Sequence, residues 1–141
     1  MKYKLPGISI ESKILANFAK PRDLVNEESE SVKVLGECIA LQQRKSIDYQ
    51  NDHSKIKQAD YYPNGVGTIM DLIHAKKLRM ESVIAAMVHD PEYKPNFESI
   101  EDSAKDAINY YSFIVAWCRK KMDGQNLNHD FLNRPKRGNN H

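Results

Sequence analysis

The sequence predicts an all-α protein: an antiparallel helical bundle with an extended N-terminal arm and a flexible basic C-terminal tail. Apolar residues recur at steps of three and four in three separate stretches, and no two runs alternate in a way that would pair as strands. Proline and glycine fall between those stretches, where they separate elements and do not interrupt them. The 141 residues suit one domain, and 40% hydrophobic with 28% charged content points to a globular core, away from a membrane span or a disordered chain. The opening "MKYKLPGISIESK" lacks the continuous apolar stretch of a signal peptide, so a cytoplasmic location without membrane contact is expected.

Residues 1–28 alternate short apolar pieces with Pro6, Gly7 and Pro21 and read as an arm, with room for a short helix over 11–19. The first helix should begin near Ser29 or Ser31 and carry Val32, Leu35, Cys38 and Ile39 on one stripe, ending at about Lys45. A polar connection over 48–67 follows, with Pro63, Gly65 and Gly67 as breakers. Connections of that length in small domains tend to be functional or mobile. The second helix should run from Thr68 to Val88 on a stripe of Ile69, Leu72, Ile73, Met80, Val83, Ile84 and Met87. The third should begin near Glu98 or Ser99 and reach Met122, where Asp123-Gly124 would stop it.

The helical domain is thus expected over 29–122 and the tail over 123–141. "NRPKRGNNH" carries three basic side chains and no acid, a composition that favours disorder and leaves nucleic-acid contact by the tail open. The net charge of +2 is too small to argue for nucleic acid by itself. Cys38 and Cys118 fall on apolar stripes and read as buried thiols. Three helices of this length leave apolar surface uncovered, which predicts a homo-oligomer.

Polar side chains in core phase are the informative anomalies. Lys76 lies in the middle of the second helix's apolar stripe, where an unpaired ammonium is costly and an anion is required. An ordinary ion pair, a snorkelling side chain and a bound phosphate all satisfy that need. Arg79, at the edge of the stripe, would extend the positive site. On the first helix the stripe turns polar at Gln42, Lys45, Ser46 and Tyr49; either it opens into a polar pocket or the helix leaves the core there.

The third helix supplies the acids. Its principal stripe is Ile100, Ala104, Ala107, Tyr111, Ile114 and Cys118, and the seam Asp106, Tyr110, Phe113, Trp117 makes a second buried face, as expected of a central helix packed on two sides. Asp102 and Asp106, one turn apart, can hold a hard cation such as Mg²⁺ through oxygen, with Glu98 as a third ligand or as a charge favoured by the helix dipole. Such a pair is also common on plain surfaces, and aromatics at helical spacing are usually core.

Three stretches in order, "KSIDYQN" (45–51), "KKLRMESV" (76–83) and "ESIEDSAKDAINYYSFIVA" (98–116), resemble the nucleotide-modification-associated domain of phage-encoded proteins. The resemblance covers about residues 35–120 and implies a nucleotide ligand in the host cytoplasm. "DAINYY" is more distantly similar to the acidic helix of MazG-like all-α nucleoside triphosphate pyrophosphohydrolases, which hydrolyse between the α- and β-phosphates with Mg²⁺. Under that likeness Glu98, Asp102 and Asp106 would hold Mg²⁺, and Lys45, Lys76 and Arg79 would neutralise phosphate charge. Asp48 would orient a water, and Tyr49 or Tyr110 would stack on the base. Those enzymes carry Glu-x-x-Glu on an earlier helix, whereas Glu37 here has no such partner. That departure favours a second reading, a nucleotide sponge that sequesters a modified or cyclic signalling nucleotide without turnover. A helical interaction module that uses its basic tail is a third.

Overall fold

The computed structural model describes residues 29–137. Three helices, α1 (Glu30–Tyr49), α2 (Val66–His89) and α3 (Ile100–Cys118), and a short 3-10 helix over Gln58–Tyr61 make up its regular structure. Among the described residues the only β feature is an isolated antiparallel bridge between His129 and Pro135, so the protein is all-α. The 1–28 arm and its short helix lie outside the described residues. The described chain divides into two units at Gln43/Arg44.

The described part of the first unit is α1 up to Gln43. Ser29 caps it, accepting the Val32 amide on Oγ at 3.4 Å and, on its carbonyl, the Lys33 amide at 3.2 Å. Cys38 is buried, as its apolar phase predicts.

The second unit opens with the last turns of α1, which continue four residues beyond the predicted end at Lys45. Tertiary contact extends the helix there: the Tyr61 hydroxyl donates to the Tyr49 carbonyl at 3.0 Å, and the two rings meet tilted by 35° with centroids 5.1 Å apart. A carbonyl that an isolated helix would leave to water is satisfied.

Helices α2 and α3 pack against each other as an antiparallel hairpin. The sense is fixed by their contacts, since Arg79 of α2 meets Glu98 just before α3 while Ile69 near the start of α2 shares a core with Trp117 near the end of α3. That core joins Ala59, Tyr62, Ile69, Trp117 and Met122, with Leu72, Tyr110 and Phe113 packed on it. On α3 the seam through Ser103, Asp106, Tyr110, Phe113 and Trp117 is covered, and so are Ile100, Ala104, Ala107 and Ile114 of the other stripe, which is exposed only at its remaining two positions. Tyr111 is 58% exposed and Cys118 is an exposed thiol, which corrects its reading as buried. Burying the large Trp117 ring against α2 gains far more than burying a cysteine at the helix end.

Helix α3 ends at Cys118, before the predicted stop. Lys120 adopts the left-handed conformation at φ 59°, its amide reaches the Trp117 carbonyl at 2.9 Å, and the Lys121 amide reaches the Ala116 carbonyl at 3.0 Å. This is a Schellman stop with lysine where glycine is usual. Beyond it, residues 123–137 are not a loose tail but a strap of turns. Gln125 donates from its side chain to the Trp117 carbonyl at 3.1 Å, and the Ala59 amide donates to the Asp123 carbonyl at 2.9 Å.

The strap also sets the start of α2. Gly65 precedes it at φ 57°, and the Val66 amide donates to the Phe131 carbonyl at 3.0 Å. A Cβ on Gly65 would lie 2.3 Å from the Phe131 carbonyl oxygen and 2.8 Å from the Trp117 ring, so only glycine permits this approach. No helix among the described residues is long and apolar enough to cross a membrane. Ile84 and Val88 of α2 and Tyr111 and Val115 of α3 are exposed; these are the apolar faces on which the expectation of a homo-oligomer rests.

Candidate functional site

Lys76 is the hub of an ionic cluster. Its ammonium donates to Glu98 Oε1 at 2.8 Å and lies 2.9 Å from Asp106 Oδ2. Core phase on α2 brings Lys76 to the α3 side of the hairpin, and the Asp106 seam faces it. The second oxygen of Asp106 accepts from Lys45 of α1 at 3.0 Å, so one carboxylate bridges two lysines. Glu98 also accepts from the hydroxyl of Ser103 at 2.6 Å. Arg79 donates from its terminal guanidinium nitrogen to the Glu98 carbonyl, and its Nε is buried with no acceptor among the described residues.

Titration behaviour follows from this geometry. Burial pulls the Lys76 ammonium down, but the hydrogen bonds and charges of Glu98 and Asp106 overcome it and hold the group above its ordinary value. The Glu98 carboxyl is lowered, first by the Lys76 hydrogen bond and then by that of Ser103. For Asp106 burial works upward, yet the two lysines leave it lowered. Tyr110, half-buried, is raised mainly by burial, and it feels the charges of Lys76, Asp106 and Lys45. Burial likewise raises the Tyr62 phenol. Tyr110 therefore borders the ion cluster, and Tyr62 and Tyr110 both pack against Phe113.

Of the residues singled out in the sequence, Lys45, Lys76, Arg79, Glu98 and Asp106 come together, with Tyr110 beside them. Tyr49 lies near enough to act on the Tyr110 phenol, and its ring meets that of Tyr61. Asp102 and Asp48 do not join. Asp102 closes a capping box, its carboxylate accepting the Ser99 amide at 3.2 Å while Ser99 Oγ accepts the Asp102 amide at 3.0 Å. Asp48 is exposed, and its contact is a carbonyl that accepts from Asn51 at 3.4 Å. Ser103 is a site residue the sequence reading missed, although it lies one step of three back from Asp106 on the same seam and is fully buried.

Three cations face two carboxylates, which leaves one positive charge in excess. Among the described residues no group of three or more His, Cys, Asp or Glu side chains is placed to hold a metal ion. The oxygens of Asp106 are both engaged by ammonium groups, so a cation there would have to displace a lysine. Lys45, in contrast, is 44% exposed and holds its partner from one side only; it can turn toward an incoming anion at little cost. No family model, curated protein or solved structure matches the chain.

Proposed function

We propose that the protein binds a nucleotide at the Lys45, Lys76 and Arg79 cluster and holds it without turnover, as a sponge for a modified or cyclic signalling nucleotide. The observation that carries this reading is the pairing of Lys76 with both Glu98 and Asp106. The carboxylates act as counter-ions that keep a positive site charged and oriented until a phosphate replaces them. Tyr110 and the paired Tyr49 and Tyr61 rings supply aromatic surface for a base, and the excess positive charge favours an anionic ligand.

The Mg²⁺-dependent pyrophosphohydrolase is the second reading. It requires Glu98 and Asp106 to exchange ammonium partners for the metal and Asp102 to leave its cap. Mass spectrometry of nucleotides released from purified, heat-denatured protein, followed by incubation of a nucleotide panel with Mg²⁺, separates the two. A released or saturably bound nucleotide that survives incubation supports the sponge. Release of pyrophosphate supports the enzyme, and no nucleotide binding with or without Mg²⁺ rejects both.

A further inference from the structure

The end of the hairpin away from the ionic cluster carries positive charge that ion pairing leaves unanswered. Residues 119–137 hold six basic side chains against two acidic ones, a net +4 in a chain whose total is +2. Asp130, one of the two acids, is already spent: it accepts from the Arg134 guanidinium at 2.9 and 3.0 Å and from the Leu132 and Arg134 amides. Arg119, Lys120, Lys121, Lys136 and Arg137 are exposed, and none of them pairs with a carboxylate among the described residues. The first three stand at the C-terminal end of α3, whose dipole amounts to about half a negative charge. It answers only a fraction of theirs.

Apolar surface lies among these charges. Phe131 and Leu127 are 56% and 55% exposed, and together with Lys120 and Lys136 they line a cavity of about 210 Å³. Sites for whole small molecules begin at about 300 Å³, so this hollow suits one flat group. The backbone behind the Phe131 ring is fixed, because its carbonyl accepts the Val66 amide at 3.0 Å and lies against Gly65. Binding there orders little that is not already ordered. A bilayer buries apolar side chains that project from a surface, whereas these wall a hollow. An acidic peptide would meet the lysines and leave the ring unused.

We infer that the end of α3 and the strap form a docking surface for single-stranded nucleic acid, with its phosphates along Arg119, Lys120, Lys121, Lys136 and Arg137 and one unpaired base against Phe131. Attraction of this kind comes from charge neutralisation along a phosphodiester chain, so long cationic side chains need only approach the phosphates and not meet fixed acceptors. Stacking adds to it without sequence preference, because every base has a flat face. The inference goes beyond the nucleotide reading and does not rest on it. Trp117, which also borders the cavity, is eleven residues beyond Asp106 on α3, about 16 Å along the axis at about 1.5 Å per residue.

Fluorescence anisotropy of a dye-labelled single strand of about ten nucleotides, DNA in one arm and RNA in the other, tests the surface on the full chain. A dissociation constant below about 100 µM at about 50 mM salt is expected in at least one arm, and the tighter arm identifies the strand. Lys120→Gly with Lys136→Gln removes two charges, and glycine suits the left-handed φ of 59° at position 120 better than lysine, so the fold is kept. This double change should weaken binding about tenfold and lower the slope of log affinity against log salt by about 1.4, at about 0.7 per lost phosphate contact. Phe131→Leu keeps an apolar wall and removes the stacking face, so it should weaken binding about fivefold or more with the salt slope unchanged. No binding in either arm, or unchanged affinity in either folded variant, overturns the inference. Binding of polyglutamate or of phosphatidylserine vesicles that Phe131→Leu weakens as much as it weakens the strand overturns it too, by assigning the surface to another partner.

Discussion

The α2/α3 hairpin is held in two different ways along its length. Around Lys76 the helices meet through charge: one ammonium between Glu98 and Asp106, with Lys45 and Arg79 at the margins. Around Trp117 they meet through shape, with a buried indole, Gly65 against the Phe131 carbonyl, and a strap closed by Gln125 and Asp123. The ionic half keeps groups that an external anion can recruit, and its net stabilisation is modest because desolvation offsets attraction. The aromatic half has no such freedom. Its close contacts make it the anchor against which the charged half can be altered without losing the fold.

The largest expected effect therefore lies on the aromatic side. Gly65→Ala combines a left-handed φ of 57° with a Cβ at 2.3 Å from a backbone oxygen. The strap must then lift off or α2 must start later. A loss of about 3 kcal/mol or more is expected in chemical denaturation, with Trp117 emission shifting toward that of an exposed indole. A loss below about 1 kcal/mol would mean that the strap is a cover and not an anchor.

Lys76→Met tests the ionic half. It fills the same stripe but leaves Glu98 and Asp106 facing each other without a shared cation, and a destabilisation of about 2–3 kcal/mol at neutral pH is expected. The pH dependence sharpens the point. Glu98 and Asp106 have depressed folded values, so their contribution is fully present above the ordinary values of 4.5 and 3.8 and is lost as pH falls through the depressed ones. Lys76 has a raised folded value, so its share is complete below 10.5 and is lost as pH rises past the folded value. Thermal melts of the wild type should fall off on the acid side below about pH 4, and the variant should show a weaker decline there. An identical acid profile in the two proteins would remove Lys76 from the account.

The two halves were also unequally legible in the sequence. Helical phase exposed the ionic cluster, because Lys76 and Asp106 are polar residues on apolar stripes, and stepping by three or four aligns them with Arg79 and Tyr110. The same phase logic read the two faces of α3 as equally covered to their ends, since Cys118 and Trp117 count alike as apolar although only the indole has enough area to command the core and Cys118 is exposed. The strap left no periodic trace. Its bonds join residues far apart in sequence, such as Asn133 with Pro63, and its composition of Asn, Gly and basic residues is the one disordered tails share. Lys120 in the left-handed conformation likewise hides a helix stop that a glycine would have announced.

The smallest effect separates the two roles open to Asp102. As the third residue of α3 it accepts the Ser99 amide, and Ser99 returns the bond. Asparagine keeps an acceptor at that position but loses the negative charge at the helix N-terminus, so Asp102→Asn should cost only about 0.5 kcal/mol. Asp102→Ala removes the acceptor as well and should cost about 1 kcal/mol. Neither change should alter nucleotide affinity, since the lysine cluster keeps all its partners. If Asp102 instead contributes to a Mg²⁺ site, the asparagine variant keeps nearly all its stability and loses any Mg²⁺-dependent nucleotide binding or hydrolysis. Calorimetric titration of the folded variant with nucleotide, with and without Mg²⁺, distinguishes the outcomes. A Mg²⁺ dependence that vanishes with one carboxylate would move Asp102 from the helix cap into the chemistry and return the hydrolytic reading to first place.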